Sequence, residues 1–333
     1  MKKIKHSVLD LVIIHENESP KDAIYRLLRD SQTIDKLGYT RLWIAEHHGQ
    51  DLFASAATSI LIGHIAKNTK NIKIGSGGIM MANHSPLIVA EQFATLEAIY
   101  PARIDLGIGR SSGSTSAIAE LLRRNDYSNV YSFKEDLDIL HQYFINEKNA
   151  KIKAFQGGRI NVPIWILGTS IDSALIAAEK GLPYAFGAHL SPSLIEKAVQ
   201  IYKENFTPSN TLQEPYLIVC INTCIAEVDL EARILSTSLL NMIYNTKHNN
   251  TAKFSPPGDI NKFKELESID FLKPIINNSV IGDLKKLIER IKLLKKSLAM
   301  DEVMVTNYIY DKKKRREAFE LISKAFQIIN SEI

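Results

Sequence analysis

Cysteine is nearly absent. The chain has only Cys220 and Cys224, both within the segment CINTC. That count excludes a disulfide scaffold, and a zinc site would need more nearby ligands than this segment offers. Two thiols four residues apart in a strand are expected to be buried on one face. Long hydrophobic runs are also missing, and no uninterrupted apolar stretch is long enough to span a bilayer. The start, MKKIKHSVLD, is basic but has neither the apolar core nor the small-residue cleavage site of a signal peptide. A cytoplasmic protein without membrane association is expected. Charge of one sign is not in excess either. The 41 Lys and Arg nearly balance the 37 Asp and Glu, for a net +4, and the basic residues are scattered. That argues against nucleic acid as the main partner; the run KKKRR at 312–316 reads as a solvated helix face.

What the 333 residues do contain is an alternation of strand-like and helix-like segments. Strands are predicted at 6–14, 41–48, 71–79, 103–109, 162–168, 182–188, 215–226 and 301–309, with helical patterns between them. The first helix carries its own signals. Ser19 can cap it, Pro20 suits its first turn, Asp22 completes a capping-box pattern, and Gly38 marks its end. Strict alternation implies a parallel sheet with helical crossovers. Eight such units close into a (β/α)8 TIM barrel, with an open doubly wound sheet as the alternative. One stretch breaks the rhythm. Residues 245–280, polar and rich in Asn, Lys and Pro, form a long insertion between strands 7 and 8. It reads as a lid or partly mobile loop on a single domain spanning 1–333, not as a second domain.

In such barrels the chemistry sits at the C-terminal ends of strands. That rule selects Asp10, Glu46, His47, His48, Ser76, Gly77, Gly78, Gly109, Arg110, Gly168, Thr169, Ser170 and His189. Two histidines after a strand end, with a glutamate before them, suit proton handling near neutral pH; no HxH or HExxH pattern marks a metal site. The glycine pair Gly77–Gly78 lets a flat ligand approach the backbone, although a tight turn would look the same. GIGRSSG misses the GxGxxG spacing by one residue, yet Arg110 within it is placed to bind phosphate. Thr169, Ser170 and Ser173 surround a helix N-terminus, where phosphate binding and ordinary capping are both open.

Taken in order, GYTRLWIAEHH, GSGGIM…NHSPLIVAEQFATLEAIYPARIDLGIGR and GLPYAFGAHL resemble the bacterial luciferase-like monooxygenases of group 1, nearest their single-subunit branch. The resemblance runs from the first strand through SVIGD to DEVMVTNYIYD. It implies a flavin enzyme that takes reduced FMN from a separate reductase, forms a C4a-peroxide with O2 and oxygenates a small organic substrate, an aldehyde in true luciferases. His47 falls on the family's catalytic histidine. Gly77 and Gly78 fall on a non-proline cis peptide against the isoalloxazine ring. Arg110 falls on the phosphate-binding arginine, and Gly168, Thr169, Ser170 and Ser173 on the phosphate loop. His48 and Glu91 match residues that meet across a dimer interface, and the small residues of SAATSILIGHIA suit close helix packing. A homodimer through the second and third helices is therefore expected. Glu46 and His189 are further candidates for substrate or interface contact. The sequence also departs from the pattern. Gly109 replaces the reactive cysteine of light-emitting α chains, Thr169 replaces an acidic residue, and SSGST stands where APGTD is common, which argues against light emission. Three other readings compete: a non-catalytic flavin store or sensor, a deazaflavin-dependent oxidoreductase, and a metallohydrolase on His47 and His48.

Overall fold

The computed structural model describes residues 2–111, 118, 121–122, 132–145, 151–155, 159–248, 250 and 252–332. Most of the loop after the fourth strand, 110–130, therefore lies outside the described residues. Local signals act as read. In α1 (Pro20–Lys36) the Asp22 N–H donates to Ser19 Oγ at 3.3 Å, and the Ser19 N–H donates to the Asp22 carboxylate at 2.9 Å. Gly38 takes the left-handed conformation just past the helix, at φ +77°.

The strands are β1 (Lys5–Asp10), β2 (Arg41–Ile44), β3 (Lys73–Met80), β4 (Ile104–Gly109), β5 (Ile164–Gly168), β6 (Tyr184–Gly187), β7 (Leu217–Ile225), β8 (Val280–Gly282) and β9 (Glu302–Asn307). Each pairs in parallel with the next from β1 to β7. Strand β9 then joins β7 to β1, closing an eight-stranded ring. The barrel expected from the alternation is present, and β9 is its eighth strand. The three-residue β8 is additional. It pairs with Thr223–Ile225, continuing the edge of β7 beyond the point where β6 stops.

Helices α2 (Thr58–Lys67), α3 (Pro86–Ile99), α4 (Phe133–Ile145), α5 (Ile171–Glu179), α6 (Ile195–Glu204), α7 (Asp229–Lys247), α10 (Leu284–Leu298) and α11 (Lys312–Ser331) complete the alternation. Between α7 and β8, the expected insertion contains α8 (Ile260–Glu267) and α9 (Lys273–Asn278). Its Phe254, Phe263, Leu266 and Leu272 are buried. Among the described residues no helix is long and apolar enough to cross a membrane.

Two strands end earlier than their sequence pattern suggests. β1 stops at Asp10 because Val12 turns to φ +53°, with its N–H donating to the Asp10 carboxylate at 2.7 Å. β2 stops at Ile44, and Glu46 beyond it is drawn into a hydrogen-bonded knot instead. The thiols also differ from expectation. Both are buried, but Cys220 belongs to the cluster inside the barrel, with Leu9, Trp43, Ala185 and Met304. Cys224 lies where β7 has moved on to pair with β8, and its sulfur meets the Ala232 carbonyl of α7 at 3.3 Å.

The N-terminal end of the ring is closed by charge. Arg41 donates to Asp105 at 2.6 Å and to Glu302 at 2.8 Å. Glu302 also accepts from Ser7 and, at 2.8 Å, from the Tyr216 hydroxyl. The Arg41 guanidinium lies 4.4 Å from the Trp165 ring.

Candidate active site

At the opposite end, where the strands finish, a cavity of about 390 Å³ opens. Its lining joins parts of the chain far apart in sequence: Gly77, Gly78 and Met80 of β3, Gly109, Arg110 and Ser111 after β4, and Gly168–Ser170 and Ser173 after β5. Gly187, His189 and Leu190 line it from β6, while Leu9, Trp43, Leu167, Ala185, Cys220 and Met304 form an apolar floor. All seven residues expected to bind cofactor are thus brought together. The Gly77–Gly78 peptide is cis, and the pairing of β3 with β4 slips register there, between Ser76 and Ile79. A Cβ on Gly77 would lie 2.6 Å from Leu9 Cδ1, and one on Gly78 would lie 2.9 Å from the Gly107 carbonyl oxygen. Side chains are therefore excluded from this wall by contacts behind it.

The α5 N-terminus forms a full cap. The Ser173 N–H donates to Ser170 Oγ at 3.2 Å, the Ser170 N–H donates to Ser173 Oγ at 3.3 Å, and Ser173 Oγ also lies 2.9 Å from the Tyr184 hydroxyl. Ordinary capping is therefore present. The first-turn N–H groups of Ile171 and Asp172 remain outside the intrahelical ladder, as at any helix start. Arg110 reaches this helix and forms an ion pair with Asp172, with both side chains more than half exposed. Sequence reading missed Asp172, which offers Arg110 a carboxylate where a phosphate is expected.

Glu46 is the hub of the β2 end. Its Oε1 accepts from His48 Nε2 at 2.7 Å and His84 Nε2 at 2.8 Å, while Oε2 accepts from the Met80 N–H at 3.3 Å. Burial alone would raise this carboxyl. Hydrogen bonding and charge from His84, then His48 and the Met80 N–H, hold it below its ordinary range instead. One buried carboxylate therefore ties β2 to the segment after the cis peptide. The three side chains place ligand-capable atoms within 4.8 Å of one another, although both imidazoles sit at hydrogen-bond distance from a single oxygen.

His47 does not line the cavity. Its ring stacks on Phe53 at 4.2 Å, and its Nδ1 is buried without a hydrogen-bond partner. Burial pushes its pKa down to about 4, with Glu46 pulling it up and His48 pushing it down. Other rim candidates are structural. Asp10 pairs with the buried Arg315 of α11 at 2.6 Å, and Ser76 Oγ donates to the Gly107 carbonyl at 2.8 Å. Glu91 lies on α3, and within the chain the carboxylate beside His48 is Glu46. Sequence reading also missed His84, Gly187 and Cys220; for His84 the only signal was its place in NHSP after β3. A second cavity, of about 230 Å³, lies at the closed end beside Arg41, Trp165 and Tyr216 and gathers none of the candidates.

Fold and site together define a (β/α)8-barrel protein with a cavity at the C-terminal rim. The chain belongs to the luciferase-like monooxygenase family, whose model matches residues 12–300. It is 40% identical to YddN of Bacillus subtilis (strain 168), covering 97% of this chain and 96% of that protein. It is 37% identical to a luciferase-like monooxygenase of Escherichia coli (strain K12), covering 96% of each. The crystal structure of apo-MsnO8 superimposes with a TM-score of 0.89 at 29% identity, covering 97% of this chain and 98% of that one. Two more distant structures share the fold. The oxygenating constituent of 3,6-diketocamphane monooxygenase from Pseudomonas putida, solved with FMN, matches at 17% identity and TM-score 0.72, covering 97% and 98%. A secondary alcohol dehydrogenase solved with a coenzyme F420–acetone adduct matches at 16% and 0.69, covering 98% and 99%.

Proposed function

We propose that the protein is a flavin-dependent monooxygenase that uses reduced FMN, supplied by a separate reductase, and O2 to oxygenate a small organic substrate in the rim cavity. The observation that carries this reading is the division of the cavity lining. Bare glycine backbone and hydrocarbon line one part; a helix N-terminus, hydroxyls and an arginine line the other. A flat ring bearing a phosphate needs that combination.

The residues fit the cofactor. The wall at Gly77 and Gly78 would present bare backbone to a ring face. Thr169, Ser170, the first N–H groups of α5 and Arg110 would hold the phosphate, with Arg110 turning from Asp172 toward it. Leu9, Trp43, Leu167 and Met304 keep water from the ring. Bound reduced flavin supplies the electrons that activate oxygen for transfer. His47, uncharged at neutral pH because of burial, would act as a proton acceptor once its ring turns from Phe53 into the cavity, which it does not line here. Glu46 positions that segment by anchoring its neighbour His48 and, across the gap, His84.

Two copies are proposed to pair through α2 and α3, which expose Ile60 and Ile88 to solvent. Sedimentation at micromolar protein should show a dimer; monomer alone rejects the pairing.

The decisive experiment supplies reduced FMN and oxygen with a panel of aldehydes, ketones and sulfonates, and seeks products carrying one added oxygen atom by mass spectrometry. Reduced coenzyme F420 is run in parallel. Oxygenation with FMN supports the reading. Turnover with F420 alone moves the protein to deazaflavin chemistry, and tight flavin binding without any product makes it a store. His47→Ala should bind flavin normally and lose about a hundredfold or more of the oxidation rate; unchanged turnover removes His47 from the mechanism.

A further inference from the structure

Gly187, the last residue of β6, places bare backbone against two side chains of the rim. A Cβ placed there would meet Thr169 Cγ2 at 3.0 Å, His189 Cε1 at 3.4 Å and His189 Nδ1 at 3.7 Å. Those contacts are tight, so the missing side chain lets Thr169 and His189 pack close to bare backbone. All three residues line the cavity, with the Cε1–Nδ1 edge of His189 nearest Gly187. They lie beside the proposed phosphate site, because Thr169 directly precedes Ser170, the cap of α5.

The histidine is fixed from its backbone, whose N–H donates to the Cys220 carbonyl of β7 at 3.0 Å. Its Nδ1 is buried and has no hydrogen-bond partner. A buried polar atom left unpaired costs about 1–3 kcal/mol, and such atoms are few in native cores. One on a residue that lines a cavity is explained by a ligand that completes it. The ring is also uncharged. Burial pushes its pKa down to about 4, against the opposing pull of the Cys220 carbonyl. A neutral imidazole offers one donor and one acceptor. That suits a hydroxyl group better than a phosphate, for which Arg110 and the helix N-terminus already stand ready. His47 shares the unpartnered Nδ1 but stacks on Phe53 outside the cavity lining.

We propose that His189 is a cofactor-binding residue whose Nδ1 edge hydrogen-bonds the hydroxylated chain joining the phosphate to the ring system. The assignment rests on the flavin reading above and gives His189 a defined ligand group.

Three reduced flavins separate the parts of the ligand: FMN, riboflavin, which lacks the phosphate, and lumiflavin, which lacks the chain as well. Dissociation constants are measured by equilibrium dialysis under nitrogen for the wild type, Arg110→Ala, His189→Leu and His189→Asn. His189→Leu should weaken FMN and riboflavin alike, by about five- to tenfold, and leave lumiflavin unchanged. His189→Asn keeps an amide near the Nδ1 position and should restore most of the affinity. Arg110→Ala should weaken FMN and spare riboflavin. An equal loss of lumiflavin in His189→Leu, or a loss confined to FMN, overturns the assignment. So does an unchanged affinity for all three. A wild type that binds none of them overturns the flavin reading and this assignment together; wild-type binding with no effect of His189→Leu overturns the assignment alone.

Discussion

The two ends of the barrel treat polar groups in opposite ways. At the closed end, buried charges answer one another: Arg41 lies between Asp105 and Glu302, and Tyr216 and Ser7 serve Glu302 as well. Asp105 Oδ1, Trp165 Nε1 and His6 Nε2 lack partners there, but each belongs to a group engaged elsewhere, through Arg41 or through ring stacking. At the open end the glycines withhold side chains, two imidazole nitrogens face no donor or acceptor, and Arg110 sits in solvent with one carboxylate. One end is held by a network of buried charges, and the other sets bare backbone and an exposed cation around a cavity. This is the division between stability and function expected of a barrel of parallel strands.

The contrast is tested most severely at Arg41. Arg41→Met strands two carboxylates in the closed end and should lower the unfolding free energy by about 3–5 kcal/mol, measured by urea denaturation. The FMN affinity of the folded fraction should stay the same. A loss below about 1 kcal/mol would mean that the network does not hold that end together.

At the open end, Gly78→Ala drives a methyl against the Gly107 carbonyl. The expected stability cost is smaller, about 1–3 kcal/mol, but FMN binding should weaken markedly. Full FMN affinity in this variant would break the rim half of the comparison.

The smallest effect concerns His6, whose pKa burial lowers from 6.5 to about 4. The unfolded chain takes up this proton between those two values while the folded chain does not, so stability falls as pH drops through that window. His6→Phe should reduce the loss of Tm between about pH 7.5 and about pH 5. It should not abolish that loss, because His47 and His189 at the rim are lowered in the same direction. An unchanged pH dependence would show that His6 contributes nothing to it.

Much of the architecture was legible because its signals are local or periodic. Ser19, Pro20 and Asp22 announce α1 within four residues, and the strands alternate with amphipathic helices at a regular spacing. The rule that strand ends carry the site led to Gly77, Gly78, Arg110 and Thr169, which do converge on one cavity. What escaped were relations between distant residues. Nothing local in EHH says that Glu46 will be held by His84, 38 residues away. GIGR does not reveal that Arg110 will meet Asp172 on another helix. Strand β8 has three residues, too few to show a period. Gly187 and His189 fall within the matched motif GLPYAFGAHL, but their approach to Thr169 exists only once β5 and β6 lie side by side.

Closure of the ring also bears on how copies of this chain can meet. Every strand from β1 to β7, with β9, has a neighbour on both sides; among the described strands only the three-residue β8 ends a row. An unpaired strand is a template on which another molecule can add its own backbone, and the described strands offer almost none. Contacts between copies of the described barrel would therefore run through side chains. Such contacts depend on shape and are more readily reversed than the growth of a shared sheet into a fibril.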